Sequence, residues 1–158
     1  MSDHYLLLKM LHILSSTILF GTGIGTAFHM WFAHRGGDTV TIANVARNVV
    51  IADFVFTTPA VIVQPATGVA LAMAAGHDLF SPWLICSYAL FVMAGACWLP
   101  VVVIQLRIRD LAADAVLCQA ALPPRYFRLM RTWFLLGWPA FIGLVVVFWL
   151  MIAKPALW

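Results

Sequence analysis

Charged residues are scarce in this chain. Of its 158 residues 9% are charged and 64% are hydrophobic, whereas a typical soluble domain carries about 25% charged residues. This composition excludes an ordinary water-soluble domain and indicates a membrane protein. The formal net charge is only +3, and no basic run is interleaved with aromatic residues, so we expect no nucleic-acid partner.

Cysteine is also sparse, and the three cysteines form no metal-binding pattern. Cys86, Cys97 and Cys118 make no CxxC pair, and no histidine lies at zinc-ligand spacing from them. Because thiols in apolar segments usually behave as small hydrophobic groups, we interpret all three as structural.

Long hydrophobic runs dominate instead. Stretches of the roughly 20 apolar residues that a membrane helix needs occur at about 5–32, 49–75, 83–106 and 133–153. Short connections make consecutive helices antiparallel, so we predict an all-α, up-down four-helix transmembrane bundle forming one domain over 1–158. The connections are 33–48, a short second loop, and 107–132. In the last of these, either the third helix runs past the membrane or a separate interfacial helix follows it.

The arginines predict the orientation of the bundle. All seven lie in the connections 33–48 and 107–132, and the second loop has no Lys or Arg. By the positive-inside rule these two connections face the cytoplasm, so we expect a multi-pass protein of the bacterial inner membrane with both termini on the periplasmic side. Arg125, Arg128 and Arg131 recur every three residues, where they either anchor lipid phosphates or bind an anionic ligand.

Polar residues inside the first helix are candidate functional residues. At 100° per residue, Lys9, Ser16 and Gly23 project close to the direction of His12. Ionisable groups at membrane depth are functional by default, so this seam is expected to face the bundle interior. Gly21 and Gly25 form a GxxxG pair, which more commonly serves close helix approach.

The second helix carries a matching polar face. Asp53, Thr57, Gln64 and Thr67 project in nearly one direction, with Gly68 beside them. The third and fourth helices contain few polar side chains, so we expect the chemistry to belong to the first two.

A charge pair is predicted near the cytoplasmic end of these two helices. His29 and Asp53 are expected at the same depth, where pairing would neutralise both.

Two resemblances bear on function. Lys9-x-x-His12 before a glycine-rich half-helix, and "YFRLMRTWFLLGWPAF" at 126–141, resemble a bacterial family of predicted four-helix integral membrane proteins of unknown function. More distantly, "KMLHI" at 9–13 and "FTTPAV" at 56–61 are similar to HemJ-type protoporphyrinogen oxidases, and the chain also resembles copper-resistance D-type membrane proteins.

The HemJ-type resemblance implies a haem b site, because the first-helix histidine of that family is implicated in binding haem b. It implies His12 as the iron ligand and Lys9 near a porphyrin carboxylate. That family's third-helix lysine and last-helix Asn-Glu pair have no counterpart here, so protoporphyrinogen oxidation is not expected.

The expected haem site also draws on small and polar residues of both helices, which can lie against the macrocycle and its propionates. His77 is the candidate second axial ligand, with Met73, a water or an open position as alternatives. The expected cofactor-binding residues are Lys9, His12, Ser16, Gly23, Gln64, Thr67 and Gly68.

Two classes of function follow. The first is a haem-b membrane redox protein that exchanges electrons with quinone or a respiratory-chain partner; whether it is an enzyme stays open. The second is a non-enzymatic scaffold or accessory subunit without a cofactor, favoured over a transporter because four short spans leave little room for alternating access. Dispersed methionines disfavour a copper site. The apolar outer faces of the third and fourth helices are compatible with a homodimer.

Overall fold

The computed structural model describes residues 3–157 and consists of four long helices. They are α1 (Asp3–Gly36), α2 (Thr39–Ala74), α3 (Pro82–Leu117) and α4 (Pro124–Ala153). All four are long and apolar enough to cross a membrane, and the described residues contain no strand. The short connections make consecutive helices antiparallel, and the all-α four-helix prediction is confirmed.

The turn between α1 and α2 is much shorter than the predicted connection 33–48. Gly37, at φ +74°, follows the end of α1, and the carboxylate of Asp38 caps α2 by accepting from the Thr41 backbone N–H at 2.8 Å. Hydrogen bonds from the Thr41 hydroxyl and backbone lower the pKa of the Asp38 carboxyl. The polar segment is helical because it also buries an apolar stripe formed by Ile42, Ala46 and Val49.

The third helix likewise continues beyond its predicted end at residue 106. It is unbroken to Leu117, so residues 107–117 belong to the third helix, and the described chain forms no separate helix between Leu117 and Pro124. The extension is held by Ile108, Ala112 and Ala115, which are all buried. The chain then turns, and Pro124 begins α4, where its missing N–H costs no helical hydrogen bond.

The main core lies at the end of the bundle where α1 joins α2 and α3 joins α4, called here the arginine-rich end. Tyr126 is fully buried there, and its hydroxyl lies 3.1 Å from Nδ1 of His34. The cluster comprises Met30, Ala33, Ile42, Ala46, Val49, Ile104, Ile108, Ala112, Tyr126, Met130 and Trp133.

Packing is looser toward the opposite end, called here the terminal end. A small cluster of Ala72, Trp83, Leu84 and Leu150 closes it. Whereas α3 and α4 pack closely along their length, α1 and α4 make few contacts, so the bundle is not closed evenly on all sides. The outer faces expose many large apolar side chains, as expected where lipid is the solvent.

A candidate ligand cavity within the membrane

A π-helical turn interrupts α2 at Asp53–Thr57. The backbone N–H of Thr58 bonds to the carbonyl of Asp53, five residues earlier, and the Thr58 hydroxyl donates to the same oxygen at 3.0 Å. Pro59 follows, and a proline ring conflicts with the carbonyl four residues before it, so the wider turn relieves that crowding. Such turns occur frequently at functional sites.

The carboxylate of Asp53 is buried and held by side chains of α3. The indole N–H of Trp98 lies 3.2 Å from each carboxylate oxygen, and the amide of Gln105 donates to Oδ2 at 2.5 Å. The indole N–H of Trp133 in α4 donates to Oε1 of Gln105 at 3.4 Å, so the network joins three helices. The predicted His29–Asp53 pair is wrong: the Asp53 carboxylate faces α3, and His29 is exposed on the outside of α1.

Asp53 has no cationic partner among the described residues. The one ion pair among residues 3–157 joins Arg109 to Asp110 on the surface, at 2.7 Å. The donors that Asp53 does have, an indole and an amide, are both neutral. An intramembrane carboxylate compensated only by neutral donors is costly, which marks it as a functional candidate.

A cavity of about 350 Å³ lies between the four helices, and Asp53 lines it. Its wall is mainly aliphatic and aromatic, and apart from the indole N–H groups of its tryptophans its polar side chains are those of Thr26, Asp53, Thr57 and Gln105. Gly23, Gly95 and Gly137 also line it, and a Cβ added at any of them meets no atom of the described chain within 4 Å. The cavity therefore has this volume partly because these three positions carry no side chain.

Thr57 carries an unsatisfied hydroxyl at the same cavity. Its side chain is 6% exposed, and Oγ1 has no hydrogen-bond partner within the part of the chain described. Other membrane threonines of this protein, such as Thr26 and Thr67, bond back to their own helix at 2.8 Å. Asp53 and Thr57, the two ends of the π turn, thus give a mainly apolar cavity a polar corner.

His12 occupies a separate polar cluster between α1 and α2. Nδ1 donates to the Thr67 hydroxyl at 2.9 Å, since that hydroxyl donates its own proton to the Val63 carbonyl. Nε2 then accepts from the Gln64 amide at 3.2 Å, and Gln64 accepts from the Ser15 hydroxyl. In this tautomer both ring nitrogens are satisfied.

Gly68 completes the packing around His12. A Cβ built on it would lie 3.1 Å from Cε1 of the imidazole, tighter than an ordinary contact. The two helices therefore meet closely at this point, and His12 is not among the residues that line the cavity.

The residues predicted to bind a cofactor do not form one site. Gln64, Thr67 and Gly68 lie against His12, while Gly23 lines the cavity. Ser16 bonds to its own backbone at Ile13, and Lys9 is exposed.

The other predicted ligands also lie apart from His12. Nε2 of His77 lies 3.1 Å from the amino group of Lys154, which donates to it, and the imidazole packs edge-on against Trp83. Residues 3–157 contain no group of three His, Cys, Asp or Glu side chains able to hold a metal ion. The side chains of Arg125, Arg128 and Arg131 are exposed at the arginine-rich end.

Sequence reasoning missed the α3 and α4 side of the site. Trp98, Gln105 and Trp133 are not among the predicted site residues, because the third and fourth helices contain few polar side chains and so indicate no polar face. The available signal was Gln105, the one amide side chain in the long apolar run of the third helix.

Comparison with known proteins bears on the whole chain rather than on the cavity. The family described as "Predicted integral membrane protein (DUF2269)" matches residues 6–155. No curated protein and no solved structure gave a match. The match covers nearly all of the chain and agrees with the four membrane-spanning helices. This multi-pass membrane protein therefore belongs to the DUF2269 family of integral membrane proteins.

Proposed function

We propose that this protein binds a lipid-soluble small molecule in the cavity between its four helices. The observation that carries the proposal is an apolar chamber whose one polar corner holds the Asp53 carboxylate and the unpartnered Thr57 hydroxyl. Ligand sites commonly combine mainly apolar walls with a few placed polar groups, and about 300–1,000 Å³ is their usual size. The 350 Å³ found here suits a small amphiphile.

The surroundings of the cavity support a ligand drawn from the bilayer. The cavity is partly open rather than enclosed, and α1 and α4 make few contacts with each other. Both helices contribute to its lining, through residues such as Phe20 and Phe141, whose rings stack at 5.0 Å. Our proposal is that the ligand enters the chamber from lipid, without crossing water.

Tryptophan fluorescence tests the proposal, because Trp98, Trp133 and Trp138 line the cavity. The protein in phosphatidylcholine nanodiscs is titrated with nitroxide-labelled dodecanol, which quenches indoles on contact. We expect a saturable component above the background from probe dissolved in lipid.

A pair of glycine variants separates the cavity from that background. Gly23→Leu fills the chamber and should remove the saturable component. Gly21→Leu adds the same side chain to the same helix, at a position whose Cβ likewise meets no atom within 4 Å but which does not line the cavity, and should retain it. Identical quenching in the two variants contradicts the proposal.

Haem b binding with electron transfer to quinone or a respiratory partner, the function predicted from the sequence, stays a prediction. As arranged here the residues do not fit a haem: both nitrogens of His12 are bonded, and Gly68 abuts the ring. A ligand role requires Nε2 to exchange Gln64 for iron. A Soret band in protein purified from haem-replete cells, lost in His12→Ala, would support haem binding, and a colourless preparation would contradict it.

The scaffold alternative makes a different prediction for the same variant. If the His12 cluster serves only to join α1 to α2, His12→Ala lowers the amount of assembled protein and leaves probe binding intact in the molecules that fold. Homodimerisation also stays a prediction, which the mass of the detergent-solubilised protein tests. The inner membrane and the outward-facing termini remain part of the proposal.

A further inference from the structure

We infer that the natural ligand is a lipophilic amine, whose ammonium group binds between Asp53 and Thr57 while its apolar body fills the chamber. The inference rests on the proposed function and adds the chemical class of the headgroup.

Charge is the first argument. Asp53 is the one titratable side chain that the four helices contribute to the described lining of the cavity; no Lys, Arg or His faces it there. Trp98 and Gln105 supply neutral N–H donors but no net positive charge. Because a carboxylate at membrane depth is stabilised by an opposite charge, a cationic headgroup is complementary and an anionic one is excluded.

Hydrogen bonding is the second argument. An ammonium group carries several N–H donors and needs more than one acceptor when it leaves water. A carboxylate accepts at about four lone-pair sites, of which the α3 side chains use part. The Thr57 hydroxyl, at the same corner, is an acceptor with no other use in the described chain.

The aromatic wall also favours a cationic ligand, though more weakly than the carboxylate does. Trp98, Trp133 and Trp138 line the chamber, and the face of an indole ring attracts cations. Phenylalanines on α1, α3 and α4 extend this wall.

A bare metal ion is disfavoured by the same geometry. Hard cations require about six oxygen ligands, whereas the only side-chain oxygens in the described lining are those of Asp53, Thr57, Gln105 and Thr26, and Gln105 and Thr26 are already engaged in other hydrogen bonds. The described residues also hold no group of metal-ligating side chains. An organic cation packs its apolar part against the apolar wall, so its charged group needs only the Asp53 carboxylate and the Thr57 hydroxyl as acceptors.

The test compares two probes that differ only in the headgroup. Nitroxide-labelled dodecylamine and nitroxide-labelled dodecanol are titrated into wild-type protein in phosphatidylcholine nanodiscs, and only the quenching component that Gly23→Leu abolishes is analysed. We expect the amine to bind about tenfold or more tightly than the alcohol, because charge-assisted hydrogen bonds are the stronger kind.

Two variants assign the preference to named groups. Asp53→Asn keeps the shape of the side chain and should bring the amine to about the affinity of the alcohol. Thr57→Val, which removes a hydroxyl without a partner, should weaken the amine severalfold while the protein stays folded.

The outcomes separate the inference from the proposed function. Equal affinity of the two probes in wild type, which requires no variant, overturns the amine inference while the cavity proposal stands. An amine preference that Asp53→Asn or Thr57→Val leaves unchanged overturns it as well. Absence of any component sensitive to Gly23→Leu, for both probes, overturns the proposed function.

Discussion

Gln105 of α3 donates its side-chain amide to the carboxylate of Asp53 in α2, across the interior of a membrane bundle, at 2.5 Å. Both side chains are buried, and Trp98 donates to the same carboxylate from one side. The polar group that is hardest to keep in the membrane is thus held by neutral donors of a helix that otherwise looks uniformly apolar.

The Asp53–Gln105 bond is expected to behave as a buried polar pair. Gln105→Leu leaves the carboxylate with one donor fewer and should lower the free energy of unfolding by about 1–3 kcal/mol. Replacing both side chains by Leu should cost less than the sum of the two single effects, since the carboxylate and the amide are removed together and only the indole N–H groups of Trp98 and Trp133 lose an acceptor. The unfolding free energies of wild type, the two single Leu variants and the double variant are measured by denaturation with sodium dodecyl sulfate in mixed micelles. Additive single effects would show that the two groups do not interact.

The two buried threonines of α2 should respond oppositely to the same substitution. Thr57→Val removes a hydroxyl that has no partner in the described chain, so the unfolding free energy should equal or exceed that of wild type. Thr67→Val removes the acceptor of the His12 N–H and should cost about 1 kcal/mol or more. If Thr57→Val destabilises as much as Thr67→Val, its hydroxyl has a partner that the structure does not show.

Gly68 should tolerate a methyl group less well than Gly21 does. Gly21→Ala meets open space and should stabilise α1 by up to about 1 kcal/mol, the usual helix preference for alanine. Gly68→Ala places its Cβ 3.1 Å from an imidazole held by two hydrogen bonds, so that gain should be cancelled or reversed. Thermal melts in detergent measure both, and His12→Ala should make Gly68→Ala harmless; equal gains in both single variants would refute the close contact.

Cys118 offers a test of the predicted orientation. It is exposed just after α3, at the arginine-rich end, while Cys86 and Cys97 lie within the membrane-spanning part of that helix. With both of those replaced by Ser, an impermeant maleimide should label Cys118 in inverted membrane vesicles and not in intact cells. Phe80→Cys at the terminal end, in a chain without other cysteines, should label in the reverse manner; labelling of Cys118 from outside would invert the topology.

Much of the fold was accessible from local sequence patterns. Four hydrophobic runs predicted the four helices, because leaving water for lipid depends on the composition of each segment alone. The polar face of the second helix was also correct as far as it went: Asp53 and Thr57 line the cavity, and Gln64 and Thr67 contact His12.

The pairing of Asp53 shows where such patterns stop. Matching depths on neighbouring helices suggested His29 as its partner, but a helical wheel cannot say how far one helix is rotated or displaced against another. The π turn at Asp53–Thr57 adds to the difficulty, because it changes the angular step at the residues in question.

The sequence alone established that the protein lies in a membrane, how many helices span it, and which faces of the first two helices avoid lipid. Only the packed bundle decided which polar groups meet. It also decided that a cavity of about 350 Å³ lies between the four helices. The reason is geometric: contacts between distant residues depend on how the cores at the two ends set the spacing of all four helices, and no single segment contains that information.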